Sequence, residues 1–197
     1  MSEIKEYEAK YSGYIEMLKG ALSKKRFIHS MNVAEMCYEL AVKHGSDAEK
    51  AYLAGILHDI RKETDDKTLE KEIGLSGYRI DPVEYASKKT WHGIAAAYYV
   101  KQELGITDND ILNAIRYHTV GRAHMSKLEK IVYLGDLVSA ERSYPDVEKY
   151  RAYARGDLDN GMYKALSWLI SDFVQSGRAI PVCTVEAYNC YLNAIKK

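Results

Sequence analysis

The sequence is poor in cysteine, with only Cys37, Cys183 and Cys190 among 197 residues and no Cys-x-x-Cys pair. An odd number of cysteines argues against a disulfide framework, and the missing pair argues against a thiolate zinc site. We therefore expect the three thiols to be small, buried, hydrophobic groups.

Long apolar runs and an excess of charge of one sign are also missing. No apolar run approaches the about 20 residues that span a bilayer, and the charged N-terminus lacks the apolar segment of a signal peptide. The 28 basic residues are balanced by 28 acidic ones, so bulk charge does not favour nucleic acid or an anionic membrane as a partner. We expect a cytoplasmic protein without nucleic-acid or membrane partners that holds any acidic ligand by a local cluster of cations.

Proline is scarce as well, with three in the chain, and strand signals are nearly absent. Helix starts are marked by a capping residue at Asp81 before Pro82 and by a box-like Ser126 to Glu129, and Gly45 suits a helix end. The sequence therefore predicts one all-α domain over residues 1–197. Its helices are expected near 3–19, 23–44, 47–61, 66–73, 82–88, 91–104, 108–118, 127–140, 145–154, 159–176 and 184–196.

Four of the six histidines alternate with two aspartates in a suggestive order. These residues are His29, His58, Asp59, His92, His118 and Asp136. Their gaps are too long for a local motif, so the side chains would come from different helices and meet in the interior of a bundle. Mixed imidazole and carboxylate ligands suit iron, manganese, zinc or cobalt, and positions left open for water and substrate point to hydrolysis.

A single histidine on an apolar helix face is more often a hydrogen-bonded core residue than a metal ligand. The ordered set of six residues therefore favours a metal site more strongly than any one of its members does. Asp136 strengthens the set, because a carboxylate in an apolar stretch must be paired or ligated when it is buried. The other two histidines have simpler roles. His44 suits a helix C-terminus, and His124 lies in a polar loop where we expect it to be solvated.

The sequence around these residues resembles the YqeK family within the HD-domain superfamily of metal-dependent phosphohydrolases. The resemblance covers roughly residues 20–195. The segments that carry it are Arg26-Phe-Ile-His29-Ser30, Ala54-Gly55-Ile-Leu-His58-Asp59-Ile-Arg-Lys62, Trp91-His92-Gly93, His118-Thr119-Val-Gly121-Arg122, Leu128-Glu-Lys-Ile-Val-Tyr-Leu-Gly-Asp136 and Tyr144-Pro145-Asp-Val-Glu-Lys149.

The resemblance implies an all-α HD-domain bundle with a metal site in its interior. Residues 20–140 would form the motif-bearing core, and the C-terminal helices of 141–197 would complete a nucleotide site. The family consists of symmetrical diadenosine tetraphosphatases, which split the dinucleotide into two ADP and use iron. The resemblance thus implies a divalent metal, one or two ions, with iron favoured over manganese, zinc or cobalt.

Residue roles follow from the same resemblance. The metal ligands would be His29, His58, Asp59 and Asp136, and a metal-bound hydroxide would attack the polyphosphate. His92 and His118 would hold a second ion or phosphate oxygens. The catalytic group would be His92, as the acid for the leaving phosphate, with Asp59 and Lys62, which lies one helical turn after His58. Substrate contacts are expected from Lys62, His92, His118, Thr119, Arg122, Arg142 and Thr184.

Two segments depart from the family pattern. The usual Glu-Pro-x-Arg stretch is Ser139-Ala140-Glu141-Arg142 here, and the usual Ile-His-Pro-x-Thr run is 180–184, Ile-Pro-Val-Cys-Thr. The alternatives therefore stay open: an HD phosphohydrolase for a nucleoside monophosphate, a cyclic nucleotide or a (p)ppGpp-like alarmone, or a nucleotide-binding module without turnover. Among the 17 tyrosines, Tyr144 or Tyr188 is a candidate for stacking on adenine, and exposed tyrosines would suit a homodimer.

Overall fold

The computed structural model describes residues 3–196, which form twelve α-helices, one 3₁₀ turn and no strand. The all-α prediction is confirmed. The helices are α1 (Glu3–Lys10), α2 (Ser12–Ala21), α3 (Lys24–His44), α4 (Ala48–Leu57), α5 (Asp66–Leu75), α6 (Pro82–Ala86), α7 (Trp91–Gln102), α8 (Asn109–Tyr117), α9 (Lys127–Val138), α10 (Val147–Gly156), α11 (Leu158–Gln175) and α12 (Val182–Ala194), and the 3₁₀ turn is Lys88–Thr90.

The N-terminal helix differs from its prediction, because the single helix expected over 3–19 is broken. Tyr11 adopts φ −102° and ψ 18°, outside the α region, and separates α1 from α2. Ser12 and Gly13 follow it, and both are weak helix formers. The periodic apolar pattern that predicted one helix continues through Tyr11, so the pattern did not reveal the break.

The helix caps follow short polar side chains. Ser126 accepts a hydrogen bond from the backbone N–H of Glu129 at 3.1 Å, and Asp81 caps α6 as expected. At α4 the cap is Asp47, whose carboxylate accepts from the N–H of Lys50 at 3.0 Å. Gly45 ends α3 with φ 61°, a conformation that favours glycine.

Helix α3 packs against α4 on one side and α9 on another. Glycine permits both close approaches. A Cβ added at Gly55 of α4 would lie 2.7 Å from the Cα of Ala34, and one added at Gly135 of α9 would lie 2.6 Å from the Sγ of Cys37. The packing therefore brings the N-terminal half of α3, the end of α4 and the end of α9 together.

Helices α7 and α8 form the neighbouring layer and contact each other closely. A Cβ added at Gly93 of α7 would meet the carbonyl oxygen of Arg116 at 3.1 Å. Arg116 is fully buried and pairs with Glu84 of α6 through two hydrogen bonds of 2.7 and 2.9 Å. This buried pair ties α6 to α8.

The cysteine prediction holds in part. Cys37 is buried in the core between α3 and α9, whereas Cys183 and Cys190 of α12 are only partly buried. Helix α12 covers the edge of the bundle and leaves one side to solvent, which explains the difference. Within residues 3–196, none of the helices has the length and apolar character needed to cross a membrane.

Candidate metal centre

The six predicted histidines and aspartates meet at one point inside the bundle. They come from five helices, at the N-terminal half of α3, the end of α4, the start of α7, the end of α8 and the last turn of α9. Five of the six side chains are nearly inaccessible to solvent, and Asp136 is 22% exposed. In order of the chain they are His29, His58, Asp59, His92, His118 and Asp136.

Three of these imidazoles are held with Nε2 pointing to the centre. The Nδ1–H of His58 donates to the carbonyl of Gly55 at 2.7 Å, and that of His118 donates to the carbonyl of Ile115 at 2.7 Å. Nδ1 of His29 is bonded to the carboxylate of Glu141. A hydrogen bond at Nδ1 fixes the tautomer and leaves the Nε2 lone pair free for a metal ion.

The carboxylate of Asp59 lies between two groups of imidazoles. Its Oδ2 is 3.7 Å from Nε2 of His29 and 3.6 Å from Nε2 of His58. Its Oδ1 is 3.1 Å from Nε2 of His92 and 3.6 Å from Nε2 of His118. Each carboxylate oxygen of Asp59 thus faces one of the two groups of imidazoles.

Asp136 completes the first of these groups, with its Oδ1 3.1 Å from Nε2 of His29. The donor atoms of His29, His58 and Asp59 lie within 4.8 Å of one another, as do those of His58, His118 and Asp136 and those of Asp59, His92 and His118. Two of these three sets share Asp59, and the third joins them through His58 and His118.

The residues fit a divalent metal. Nε2 of His29, Nε2 of His58 and Oδ1 of Asp59 are buried and have no hydrogen-bond partner among residues 3–196. Unpaired buried polar atoms are costly, and here several point at one another, as metal ligands do. Imidazole and carboxylate donors without thiolate suit a first-row transition metal.

The protonation states of the histidines differ. Burial lowers the pKa of His58 to about 4 and that of His92 to about 4, so both are neutral at neutral pH. Burial also disfavours charge on His29, but the carboxylates of Asp136 and Glu141 outweigh it and raise its pKa to about 9. Burial raises the pKa of Asp136, yet the neighbouring His29, His58 and Arg142 outweigh burial and hold it well below its usual range. Both aspartates are ionised and available as ligands.

Three cations surround the cluster. Nζ of Lys62 is 3.1 Å from Nε2 of His92 and 3.8 Å from Oδ1 of Asp59, and burial lowers the pKa of Lys62. Arg142 pairs with Asp136 through its guanidinium. Nη1 of Arg26 is 2.9 Å from Oδ2 of Asp59.

Sequence reasoning missed Arg26 and Glu141. Arg26 precedes His29 by three residues on α3, so helical spacing was a signal for it. Glu141 had no such signal, because the chain must turn after α9 before its carboxylate reaches His29. The Nδ2 of Asn32, one helical turn after His29, donates to Oε2 of Glu141 at 2.8 Å and holds it there.

Two predicted substrate contacts are not brought to the cluster. Nε of Arg122 donates to Oε2 of Glu129 at 2.7 Å, and the pair sits on another face of α9. Thr184 is fully buried, and its hydroxyl donates to the carbonyl of Val120 at 2.8 Å. These bonds join the loop after α8 to α9 and α12, so both residues have structural partners.

Thr119, by contrast, follows His118 directly and lines an adjoining cavity of about 280 Å³, here called the proximal cavity. Its walls include the metal-centre residues His118 and Asp136 together with Arg142, Tyr144 and Trp168. The rings of Tyr144 and Trp168 are stacked, with centroids 5.7 Å apart and planes 16° apart. Trp168 is 42% exposed and was not singled out from the sequence.

The other candidate aromatic residue and the remaining histidines lie elsewhere. Tyr188 packs against Tyr163 and does not line the proximal cavity. Nε2 of His44 is bonded to the carbonyl of Ala154 at 2.7 Å, which is a structural contact. His124 is exposed, as expected for the loop.

The model of the HD domain family matches residues 26–141, more than half of the chain and the whole of the histidine–aspartate set. The chain belongs to the HD domain family. The family predicted from the motifs is thereby confirmed, and the HD domain implies dependence on a divalent metal.

Similar HD proteins cover nearly the whole chain. It is 36% identical to a protein of Halalkalibacterium halodurans named bis(5′-nucleosyl)-tetraphosphatase, symmetrical, over 89% of this chain and 93% of that one. A protein of Bacillus subtilis with the same name is 31% identical over 87% of this chain and 92% of that one. The crystal structure of a predicted HD superfamily hydrolase involved in NAD metabolism from Clostridium acetobutylicum superposes with a TM-score of 0.90 and 31% identity, covering 93% of this chain and 97% of that one.

Proposed function

We propose that this HD-domain protein is a metal-dependent phosphohydrolase that cleaves diadenosine tetraphosphate symmetrically into two ADP. The observation that carries the proposal is the Asp59-bridged cluster of imidazoles and carboxylates, which opens on a cavity with cationic and aromatic walls. The names of the relatives at 31–36% identity support this substrate.

The metal is proposed to be iron, in two ions that share Asp59. One would be held by His29, His58 and Asp136, and the other by His92 and His118. Manganese, zinc and cobalt accept the same ligands and are the alternatives. A divalent ion bound here supplies a water of lowered pKa and positive charge against the phosphates.

Symmetrical hydrolysis adds the oxygen of one water to one of the two central phosphorus atoms and breaks its bond to the bridging oxygen, which departs with the second ADP. Negative charge grows on that oxygen. Lys62 and Arg142 lie on either side of the cluster and neutralise charge on the phosphates, the lysine as a point charge and the arginine through its planar fork. Thr119 contributes a hydroxyl at the mouth of the proximal cavity.

We propose that His92 binds the second ion rather than acting as the general acid expected from the sequence. Burial lowers its pKa to about 4, which favours the neutral imidazole that a metal ion binds. Nε2 of His92 lies 3.1 Å from Oδ1 of Asp59 and 3.1 Å from Nε2 of His118. This placement supports a ligand for the second ion.

One adenine is proposed to bind in the proximal cavity against Tyr144 and Trp168. Stacked aromatic rings offer a flat apolar face that accepts a base. The cavity volume of about 280 Å³ is at the lower end of typical ligand pockets, ~300–1,000 Å³, and suits one nucleoside.

Three further predictions stay proposals. The whole chain would act as one domain in which residues 141–197 complete the nucleotide site, as the position of Arg142, Tyr144 and Trp168 on the proximal cavity supports. The protein would work in the cytoplasm. A homodimer is the third, and sedimentation of the purified protein measures it.

The function is tested by incubating the iron- or manganese-loaded protein with a panel of dinucleotides, mononucleotides, cyclic nucleotides and alarmones and separating the products by chromatography. We expect ADP alone from diadenosine tetraphosphate and far slower turnover of the rest. The His58→Ala variant should be inactive, and the matched His124→Ala variant, which changes an exposed histidine outside the centre, should keep full activity. Formation of AMP and ATP, or preference for another nucleotide, would overturn the proposal.

A further inference from the structure

Thr119 also lines a second cavity. This distal cavity has a volume of about 340 Å³. It is formed by the segment from α6 through the 3₁₀ turn and by the end of α11 with the residues that follow it. Thr119 lines both cavities, so the two meet at the residue next to the metal-centre His118.

The hydroxyl of Thr119 lacks a hydrogen-bond partner in the described part of the chain. Its Oγ1 is buried. A buried hydroxyl without a partner costs free energy, so a partner from outside the protein, such as a water or a ligand, is expected at this position. A phosphate oxygen passing from one cavity to the other would supply the missing partner.

The distal cavity also carries cations and an aromatic ring. Lys89 lines it from the 3₁₀ turn and forms no ion pair within the described part of the chain. Arg178 lines it from the other side, with its guanidinium carbon 4.5 Å from the ring centroid of Phe173. Nε of Arg178 donates to Oγ of Ser176 at 2.7 Å, and the guanidinium also pairs with Asp172, so its position is held.

These groups match a nucleoside phosphate. Lysine and arginine bind phosphate oxygens, and stacked arginine and phenylalanine planes are surfaces on which bases stack. The distal cavity is of the same order of size as the proximal one, about 340 against 280 Å³, and each suits one nucleoside.

We propose that the distal cavity binds the second nucleoside of the dinucleotide, with its base against Phe173 and its phosphates near Lys89 and Arg178, while the polyphosphate crosses Thr119. The inference rests on the proposed function, because only a substrate with two nucleosides needs two such cavities. It offers a reason for symmetrical cleavage: the two cavities meet at Thr119, the residue next to the metal-centre His118, so the middle of a tetraphosphate that spans both cavities lies beside the metal centre.

The first test counts ADP sites on the metal-loaded protein by equilibrium dialysis. We expect two ADP per chain in the wild type, since each half of the product has its own cavity, and one in the Lys89→Ala/Arg178→Ala double variant. The matched control is Lys88→Ala, which removes the neighbouring lysine that pairs with Asp66 outside the cavity and should leave two sites. One site in the wild type, or two in the double variant, would overturn the inference.

The second test uses Michaelis constants. In the double variant the KM for diadenosine tetraphosphate should rise about tenfold or more, the size expected for the loss of charge-assisted hydrogen bonds, with kcat little changed. Phe173→Leu should raise KM about fivefold, while Phe173→Tyr, which keeps the ring, should not. An unchanged KM in the double variant and in Phe173→Leu would contradict the proposal.

Different outcomes decide the proposed function and the distal site. If the wild type releases no ADP from diadenosine tetraphosphate, the proposed function fails. If it releases ADP and the distal variants behave as the Lys88→Ala control does, only the distal site is wrong.

Discussion

At the scale of single residues, the orientation of His29 depends on the carboxylate of Glu141. Glu141 lies in the segment 139–142, which departs from the family pattern. The family usually has glutamate three residues after its last metal-binding aspartate, and this chain has Ser139 there. Glu141 reaches Nδ1 of His29 instead, and the hydroxyl of Ser139 donates to Glu141 at 2.8 Å. The departure at 139–140 therefore leaves the histidine with a carboxylate partner.

This arrangement predicts that Glu141→Ala weakens metal binding without touching a ligand. Loss of a carboxylate behind a metal-binding histidine typically costs about 10–100-fold in metal affinity, because the imidazole loses its fixed orientation. Competition with a chelator of known affinity measures the change. Glu148→Ala is the control, since Glu148 is 79% exposed and pairs only with Arg151 on the surface. Equal metal affinity in both variants would show that His29 needs no such partner.

The six residues of the cluster could be predicted from the sequence. The hydrogen-bond partners of the residues around the cluster were less predictable. The order of the histidines and aspartates along the chain is a property of the sequence, so the six ligand candidates were identified without coordinates. Arg122 and Thr184 were attractive for the same motif-based reason, yet Glu129 and the carbonyl of Val120 bind them. Such choices between partners depend on tertiary distances, which spacing along the chain does not contain.

At the scale of helices, the contact between α3 and α4 sets the distance between His29 and His58. Gly55 allows that contact, because a Cβ there would lie 2.7 Å from the Cα and 3.0 Å from the backbone nitrogen of Ala34. Backbone atoms cannot swing away as a flexible side chain does. The two helices must therefore separate if a larger residue replaces this glycine.

We predict that Gly55→Ala lowers the free energy of unfolding by about 1–3 kcal/mol, the range typical of an overpacked core. Urea denaturation measures the loss, and metal affinity should fall with it, since His58 moves with α4. Gly74→Ala is the matched control, because Gly74 is also helical and a Cβ there meets nothing within 4 Å. It should be neutral or stabilising by about 0.5–1 kcal/mol. Equal stability of Gly55→Ala and wild type would mean that the close approach is not required.

Most helices were predictable within a few residues because short polar caps and glycine mark their ends. The break at Tyr11 was not, since no proline or capping residue marks it and the turn is still hydrogen-bonded, with the N–H of Tyr11 donating to the carbonyl of Tyr7 at 2.8 Å. Small changes of φ and ψ divide such a helix without changing its apolar pattern.

At the scale of the whole molecule, the metal centre joins helices that are distant in sequence. Its candidate ligands lie on or at the ends of α3, α4, α7, α8 and α9, so an ion bound there would hold the middle of the bundle together. In its absence, buried ligand atoms stay unpaired and ionised carboxylates lie close together.

Metal binding should therefore raise the melting temperature. An ion at 100 times its dissociation constant adds about 2.7 kcal/mol, which shifts the melting temperature of a chain of this size by roughly 5–10 °C. Differential scanning calorimetry with and without metal measures the shift. The His58→Ala variant should show little of it, whereas His124→Ala should match the wild type. A metal-independent melting temperature in the wild type would argue against this centre.

Symmetrical cleavage requires that one water attacks one of the two central phosphorus atoms of a tetraphosphate held at the metal centre around Asp59. Hydrolysis of diadenosine tetraphosphate in ¹⁸O-labelled water, followed by mass spectrometry of the products, tests it most directly. The account predicts ADP as the sole nucleotide product, with half of its molecules carrying one ¹⁸O on the terminal phosphate. Label in AMP or ATP would contradict it.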